Sequence, residues 1–144
     1  MTAPLLEVRD LHVWFDLPHR GELHAVQGLN FSLDAGERMG LVGESGCGKT
    51  TSILALMGLL PPSASVRGEV RVNGVDIMAG GEETMRPHRW REVAMVFQGA
   101  MNALNPVQRV GTQIIEPMEL HGVANGDAAK RRAGELLELV GISA

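Results

Sequence analysis

The chain has 144 residues, 44% hydrophobic and 21% charged, which is one domain's worth of ordinary globular composition and excludes a disordered tail. Thirteen Lys and Arg against seventeen Asp and Glu give a net charge of −4 with no basic stripe, which argues against nucleic acid as a partner. The longest apolar run, Ile53 to Leu60, has eight residues and contains Gly58, whereas a bilayer span needs about 20. Met1 is followed by no basic-then-apolar leader. Leu5 to Phe15 alternates apolar residues at Leu6 and Val8, then at Leu11, Val13 and Phe15, and predicts a strand. His19 to Glu22 reads as a turn. Leu29 to Leu33 alternates again, and Asp34 to Glu37 makes the next turn. Two or three short antiparallel strands are expected here.

Arg38 to Val42 is a short, mostly apolar run that stops at Gly43, the pattern of a buried strand. Lys49 to Leu60 carries apolar residues at i, i+3 and i+4 spacings, so a helix is expected, ended by Pro61-Pro62. Asn73-Gly74 within Glu69 to Ile77 is a strong hairpin signal. Ala79 to Pro87 reads as a loop, and Ala94 to Phe97 as a second short buried strand. Gln98 to Val107 is irregular, broken by Pro106. Gly111 to Leu120 suits a helix interrupted at Pro117. Asp127 to Val140 is the best amphipathic helix, with Asp127 as N-cap, Ala129, Ala133, Leu136, Leu137 and Val140 on one side, and Gly141 just past its end. There is no internal repeat.

Between the expected strand and helix, Gly43-Glu44-Ser45-Gly46-Cys47-Gly48-Lys49-Thr50 fits G-x-x-x-x-G-K-[ST] in full. Each position has a physical task. Glycines let the backbone turn its N–H groups inward as a nest for phosphate oxygens, helped by the positive end of the following helix. Lys49 supplies a mobile point charge for the β- and γ-phosphates. Thr50 offers a hydroxyl to Mg²⁺, and Thr51 continues the first turn. An ordinary Gly-rich turn has no need of Lys49-Thr50. The dinucleotide fingerprint and the protein-kinase glycine loop both fail, because the third glycine after Gly46-x-Gly48 is missing. Cys47 is the single cysteine; it permits no internal disulfide and suits a reducing compartment.

At this point the sequence resembles the ATP-binding subunits of ABC transporters, and more narrowly the dipeptide, oligopeptide and nickel uptake group. LVGESGCGKTTSILALMGLLPP is similar to that group's phosphate loop and helix. AMVFQGAMNALNPV resembles its Q-loop segment, and IIEPMELHG and LLELVGI resemble the start of its helical subdomain. The likeness runs in order over nearly the whole chain, and the LNPV segment narrows the group. The resemblance implies further roles. Phe15 falls where the family stacks an aromatic on adenine, with Trp14 as competitor and a core Phe as the structural alternative. Gln98 matches the glutamine that reaches Mg²⁺ and the attacking water. Asn102 to Val107 would lie near the contact with the membrane subunit.

Two departures are local: Cys47 stands where Ser is common, and Gly99-Ala100 replaces the usual acidic residue and Pro. A third is larger. No LSGGQ-like signature, no apolar strand ending in Asp-Glu and no switch histidine occur in the 144 residues. The reading is therefore the N-terminal part of a longer domain. The five histidines, His12, His19, His24, His88 and His121, are scattered without metal-site spacing. Met95, Met101 and Met118 suit core gaps or a subunit contact, and Glu82-Glu83 a solvated loop.

The expected fold is α/β, a truncated P-loop NTPase of ABC type with an N-terminal antiparallel β-subdomain and the start of a helical subdomain. Residues 1–97 would be the β-subdomain and P-loop core, and 98–144 the Q-loop and first helices. The expected cofactors are ATP and Mg²⁺. Lys49 and Gln98 are the catalytic candidates. The nucleotide candidates are Phe15 and Gly43 through Thr51, and the metal candidates Thr50 and Gln98. By resemblance the partners are membrane-spanning permease subunits, a second ATP-binding subunit and, indirectly, an external solute-binding protein. The location implied is peripheral, on the cytoplasmic face of the cell membrane. Two alternatives stand beside peptide import: a P-loop NTPase outside transport, and a nucleotide-binding fragment without catalysis.

Overall fold

The computed structural model describes residues 3–99 and 103–143. Residues up to Val93 form one compact unit and those from Ala94 a second. In the first, strands β1 (Leu6–Leu17), β2 (Gly21–Leu33), β3 (Ala64–Val72) and β4 (Val75–Asp76) make an antiparallel sheet in the order β2-β1-β3-β4. The alternation in β1 survives as paired positions: Leu6 faces Leu33 and Val72, and Val13 faces Val26 and Val66. Asn73 and Gly74 both take positive φ, 51° and 80°, as a two-residue hairpin turn that matches strand twist requires. Helix α1 (Lys49–Leu56) packs on β1 and β2, and the short helix α2 (Glu82–Met85) follows. Val8, Leu11, Val13, Val26, Ala55, Val70, Val72, Ile77 and Met85 form the buried core.

In the second unit, α3 (Val110–Leu120) and α4 (Gly126–Leu139) pack on each other. Ala129 and Ala133 are buried in that contact, as the amphipathic pattern predicts. Gly141 follows α4, and its N–H and that of Ile142 return to the carbonyls of Glu138 and Leu137. That double bond satisfies two otherwise orphaned helix carbonyls.

Several expectations change. Residues 38–42 and 94–97 do not form strands. A buried parallel strand needs hydrogen-bonded neighbours on its flanks, and among the described residues neither segment has them. Val42 is 89% and Val96 93% exposed. Helix α1 ends at Leu56, earlier than Pro61-Pro62 suggests. Gly58 closes it, with its N–H on Ala55 and that of Leu59 on Leu54. Pro117 does not interrupt α3, which runs on to Leu120 at the loss of one N–H. The N-cap of α4 is Asn125, not Asp127; Asp127 lies in the first turn, paired with Lys130 at 3.3 Å. Val140 is the C-cap and is exposed rather than on the packed side.

The Ala79 to Pro87 loop contains α2, and Glu82 is not simply solvated. It accepts two bonds from Arg89, at 2.6 and 2.8 Å. Met101 and Asn102 lie outside the described residues. The LNPV segment, residues 104–107, is clamped by Gln113 of α3, whose amide bonds the N–H and C=O of Asn105 and the carbonyl of Gln108.

Candidate nucleotide site

The loop from Gly43 to Gly48 runs over the surface from residues 38–42 into α1, and every residue from Gly43 to Cys47 is exposed. Two constraints meet at Gly48, the N-cap of α1. Its φ is +93°, and a Cβ there would come 2.7 Å from the Ala25 carbonyl oxygen of β2. Only glycine lets the loop enter the helix this close to the sheet. Ser52 then fixes the first turn: its N–H and Oγ both donate to the Gly48 carbonyl, at 2.8 and 3.0 Å. The next N–H groups back, those of Lys49, Thr50 and Thr51, belong to the open first turn of the helix. No side chain caps it, and no acidic residue lies in that turn. Donors and helix dipole are thus left facing an anion's position.

Lys49 spans the loop. Its ammonium donates to the carbonyls of Gly43 and Glu44, at 2.8 and 2.6 Å, and lies 3.4 Å from Cys47 Sγ. The cation is therefore held at the mouth of the loop by its own backbone. Cys47 also packs tightly against Gly43, where a Cβ would fall 2.7 Å from the sulfur. Thr50 is exposed and leaves its hydroxyl accessible. Beside the loop lies an open cleft of about 650 Å³ whose lining includes Val26, Leu41, Val42, Cys47, Lys49 and Ser52.

The structure thus brings Gly43 through Thr51 into one site. It does not bring every candidate there. Phe15 is half-buried on β1, opposite Leu23 and Ala64, and packs against the core beside the cleft's sheet rather than lining the cleft. Trp14, one residue back, is stacked on His24 and His12. Gln98 is exposed and belongs to the second unit. Sequence reasoning missed Arg89, which donates to the Met57 and Gly58 carbonyls at the C-terminal end of α1. The signal available was an Arg seven residues after Glu82, too distant for a helical pairing rule. Among the described residues no cluster of three or more His, Cys, Asp or Glu could hold a metal ion.

A phosphate loop feeding an uncapped helix, with its lysine at the mouth, defines a P-loop nucleotide-binding protein. The chain belongs to the ABC transporter family, whose family model matches residues 26–144, and ATP is that domain's nucleotide. It is 46% identical over 140 residues to the oligopeptide transport ATP-binding protein OppD of Bacillus subtilis, covering 96% of this chain and 39% of the relative. It is 45% identical over 142 residues to the OppD protein of Mycobacterium bovis, covering 98% of this chain and 23% of that one. With the probable D,D-dipeptide transport ATP-binding protein DdpD of Escherichia coli it shares 36% over 140 residues, 96% of this chain and 42% of that one. The chain spans well under half the length of these relatives.

Proposed function

We propose that this chain carries the phosphate-binding half of an ATP site, in a longer ATP-binding subunit that hydrolyses ATP to energise import of peptides or a related solute. The observation that carries the reading is the uncapped N-terminus of α1, with Lys49 at the loop mouth. The residues present suit a triphosphate. Backbone N–H groups from Gly43 to Thr51 would hold its oxygens. Lys49 would leave the Gly43 and Glu44 carbonyls for the β- and γ-phosphates, a charge-assisted exchange. Thr50 offers the hydroxyl that fits a magnesium ion, whose charge would offset that on the phosphates. Phe15 would stack on the adenine, and Gln98 would orient the attacking water.

In this proposal residues 1–97 are the β-subdomain and phosphate-loop core of an ABC nucleotide-binding domain, and residues 98–144 the Q-loop and first helices of its helical subdomain. The relatives' names support peptide transport as the setting. Permease subunits, a second ATP-binding subunit and a peripheral place on the cytoplasmic face of the membrane follow from that setting. No described helix is long and apolar enough to cross a membrane. Residues 1–144 by themselves would bind MgATP weakly or not at all compared with a complete domain and would not turn it over, because positioning and electrostatics supply most of phosphoryl-transfer catalysis and the loop provides only one side of the site. The test is calorimetric titration of MgATP into the full-length subunit and its Lys49→Ala variant, with phosphate release measured in parallel. Binding in the parent and at least a tenfold loss in the variant support the reading. Equal affinity in both overturns it, and phosphate release by residues 1–144 that disappears with Lys49→Ala overturns the statement on turnover.

A further inference from the structure

The outer face of the β1–β2 hairpin carries a group of side chains that the ATP site does not use. His12 and His24, twelve residues apart in sequence, meet with His12 Nδ1 and His24 Nε2 2.9 Å apart. Their planes lie within 25°, and their centroids are 5.1 Å apart. Rings that far apart with nitrogens that close point at each other edge to edge, which is a hydrogen bond and leaves no room for a metal ion between them. His12 Nε2 is 3.0 Å from Asp10 Oδ1. The Trp14 indole lies parallel to both imidazoles, at 4.4 Å from His24 and 5.3 Å from His12. The Arg67 guanidinium of β3 lies 5.8 Å over the indole.

The backbone is shaped for this arrangement. The β1 register slips between Val8 and Leu11 against β2, and between Arg9 and His12 against β3. Asp10 occupies that bulge at φ +47°, a conformation few non-glycine residues adopt. Asn30 Oδ1 holds the Asp10 N–H at 2.9 Å. Gly28 of β2 lies against the Asp10–His12 bond, where a Cβ would come 3.4 Å from Asp10 Oδ1 and 3.6 Å from His12 Nε2.

The partners fix the protons. An ionised Asp10 can only accept, so His12 Nε2 carries a hydrogen. His12 Nδ1 is then bare in the neutral ring and accepts from His24 Nε2–H. His24 Nδ1 remains open to a further proton, and adding one there breaks no bond. A second proton has only His12 Nδ1 to go to, where it would face the His24 Nε2–H donor to donor. The charged groups facing the pair are Asp10 from β1 and Arg67 from β3; on β2 the next charged position on this face is Glu22, opposite Asp16.

We propose that Asp10, His12, His24 and Trp14 form a proton-operated clasp that ties β1 to β2, closed with no or one added proton and opened by two. Imidazole as a residue type changes charge between about pH 5 and 8, which sets the range to examine. The test is imidazole proton–nitrogen correlation spectroscopy of the full chain across that range. A second readout is Trp14 fluorescence in a Trp90→Phe background; Trp90 is 66% exposed and outside the cluster. The expected result is His12 protonated at Nε2 throughout, the first added proton at His24 Nδ1 and the second at His12 Nδ1. The Trp14 signal should change at the first step, as charge appears on His24 against the indole face, and again at the second, as the clasp opens. His24→Gln, whose amide still donates to His12 Nδ1, should keep the hairpin's amide-exchange protection at neutral pH and leave one step, at His12, in place of two. Two independent single steps, each unmoved by replacement of the other histidine, would overturn the clasp. So would a neutral His12 with its hydrogen on Nδ1, which the unmodified chain alone can reveal.

Discussion

Gly48 shows how much of the site rests on single residues. Its left-handed φ alone costs an alanine about 1–2 kcal/mol, and the Ala25 carbonyl at 2.7 Å leaves no space for the methyl. Gly48→Ala should therefore lower unfolding stability by more than about 2 kcal/mol in urea titration. It should also displace the α1 N-terminus and so weaken nucleotide binding. A stability within about 0.5 kcal/mol of the parent would contradict the close approach. Cys47 makes a second prediction at this scale. The thiol is exposed, in the loop, and 3.4 Å from Lys49. A triphosphate on the loop would cover it and draw Lys49 away. Alkylation of Cys47, followed by mass spectrometry on the full-length subunit, should slow at least tenfold at saturating MgATP, and alkylated protein should fail to bind nucleotide. Equal rates with and without nucleotide would mean that the thiol is not at the phosphate position.

At the scale of elements, the phosphate-loop helix is held at both ends by groups outside it. Gly48 sets its start, and Arg89 reaches the carbonyls of Met57 and Gly58 at its end while Glu82 holds the guanidinium from the other side. Arg89 is mostly shielded and Glu82 mostly exposed, so the ion pair itself contributes little and the bonds to helix carbonyls contribute more. Arg89→Ala should cost about 1–2 kcal/mol in thermal or urea unfolding and Glu82→Gln less than half of that. Equal costs would mean that the ion pair, not the helix end, is what matters. This device was not legible in the sequence, since nothing in the spacing of Arg89 from Met57 marks them as partners. The loop, the Asn73-Gly74 turn and the Gly141 helix end were legible, because each rests on residues adjacent in the chain. The clasp was not, because His12 and His24 meet only through a strand pairing shifted by three bulges. Residues 38–42 and 94–97 misled for the complementary reason: their apolar pattern is that of a strand buried among neighbours, and pattern carries no information on whether those neighbours are supplied.

For the whole molecule, that same exposure sets the behaviour of residues 1–144 in solution. Val42 and Val96 are almost fully exposed, and Val123, Leu139 and Val140 are each at least 70% exposed. Strand β2, thirteen residues long, is an edge of the sheet. Apolar surface of this extent on a monomer marks an interface or an aggregation hazard, and a long edge strand offers backbone groups to another chain. The opposing force is weak, since a net charge of −4 gives only modest self-repulsion. Among the described residues the core of the first unit has nine buried side chains, with further hydrophobics such as Leu29 and Phe31 only partly buried against it; Val8, Leu11, Val13, Val70 and Ile77 are its largest fully buried ones. Apolar burial of this size leaves little margin over chain entropy. The chain should therefore self-associate with concentration in light scattering at tens of micromolar, bind a fluorescent apolar dye, and melt over a broad range. Replacing Val42 and Val96 with Ser, which removes apolar surface without touching the core, should reduce both association and dye binding. A monodisperse monomer with a sharp cooperative melt and no dye binding would show that these surfaces are covered by a rearrangement of the chain itself.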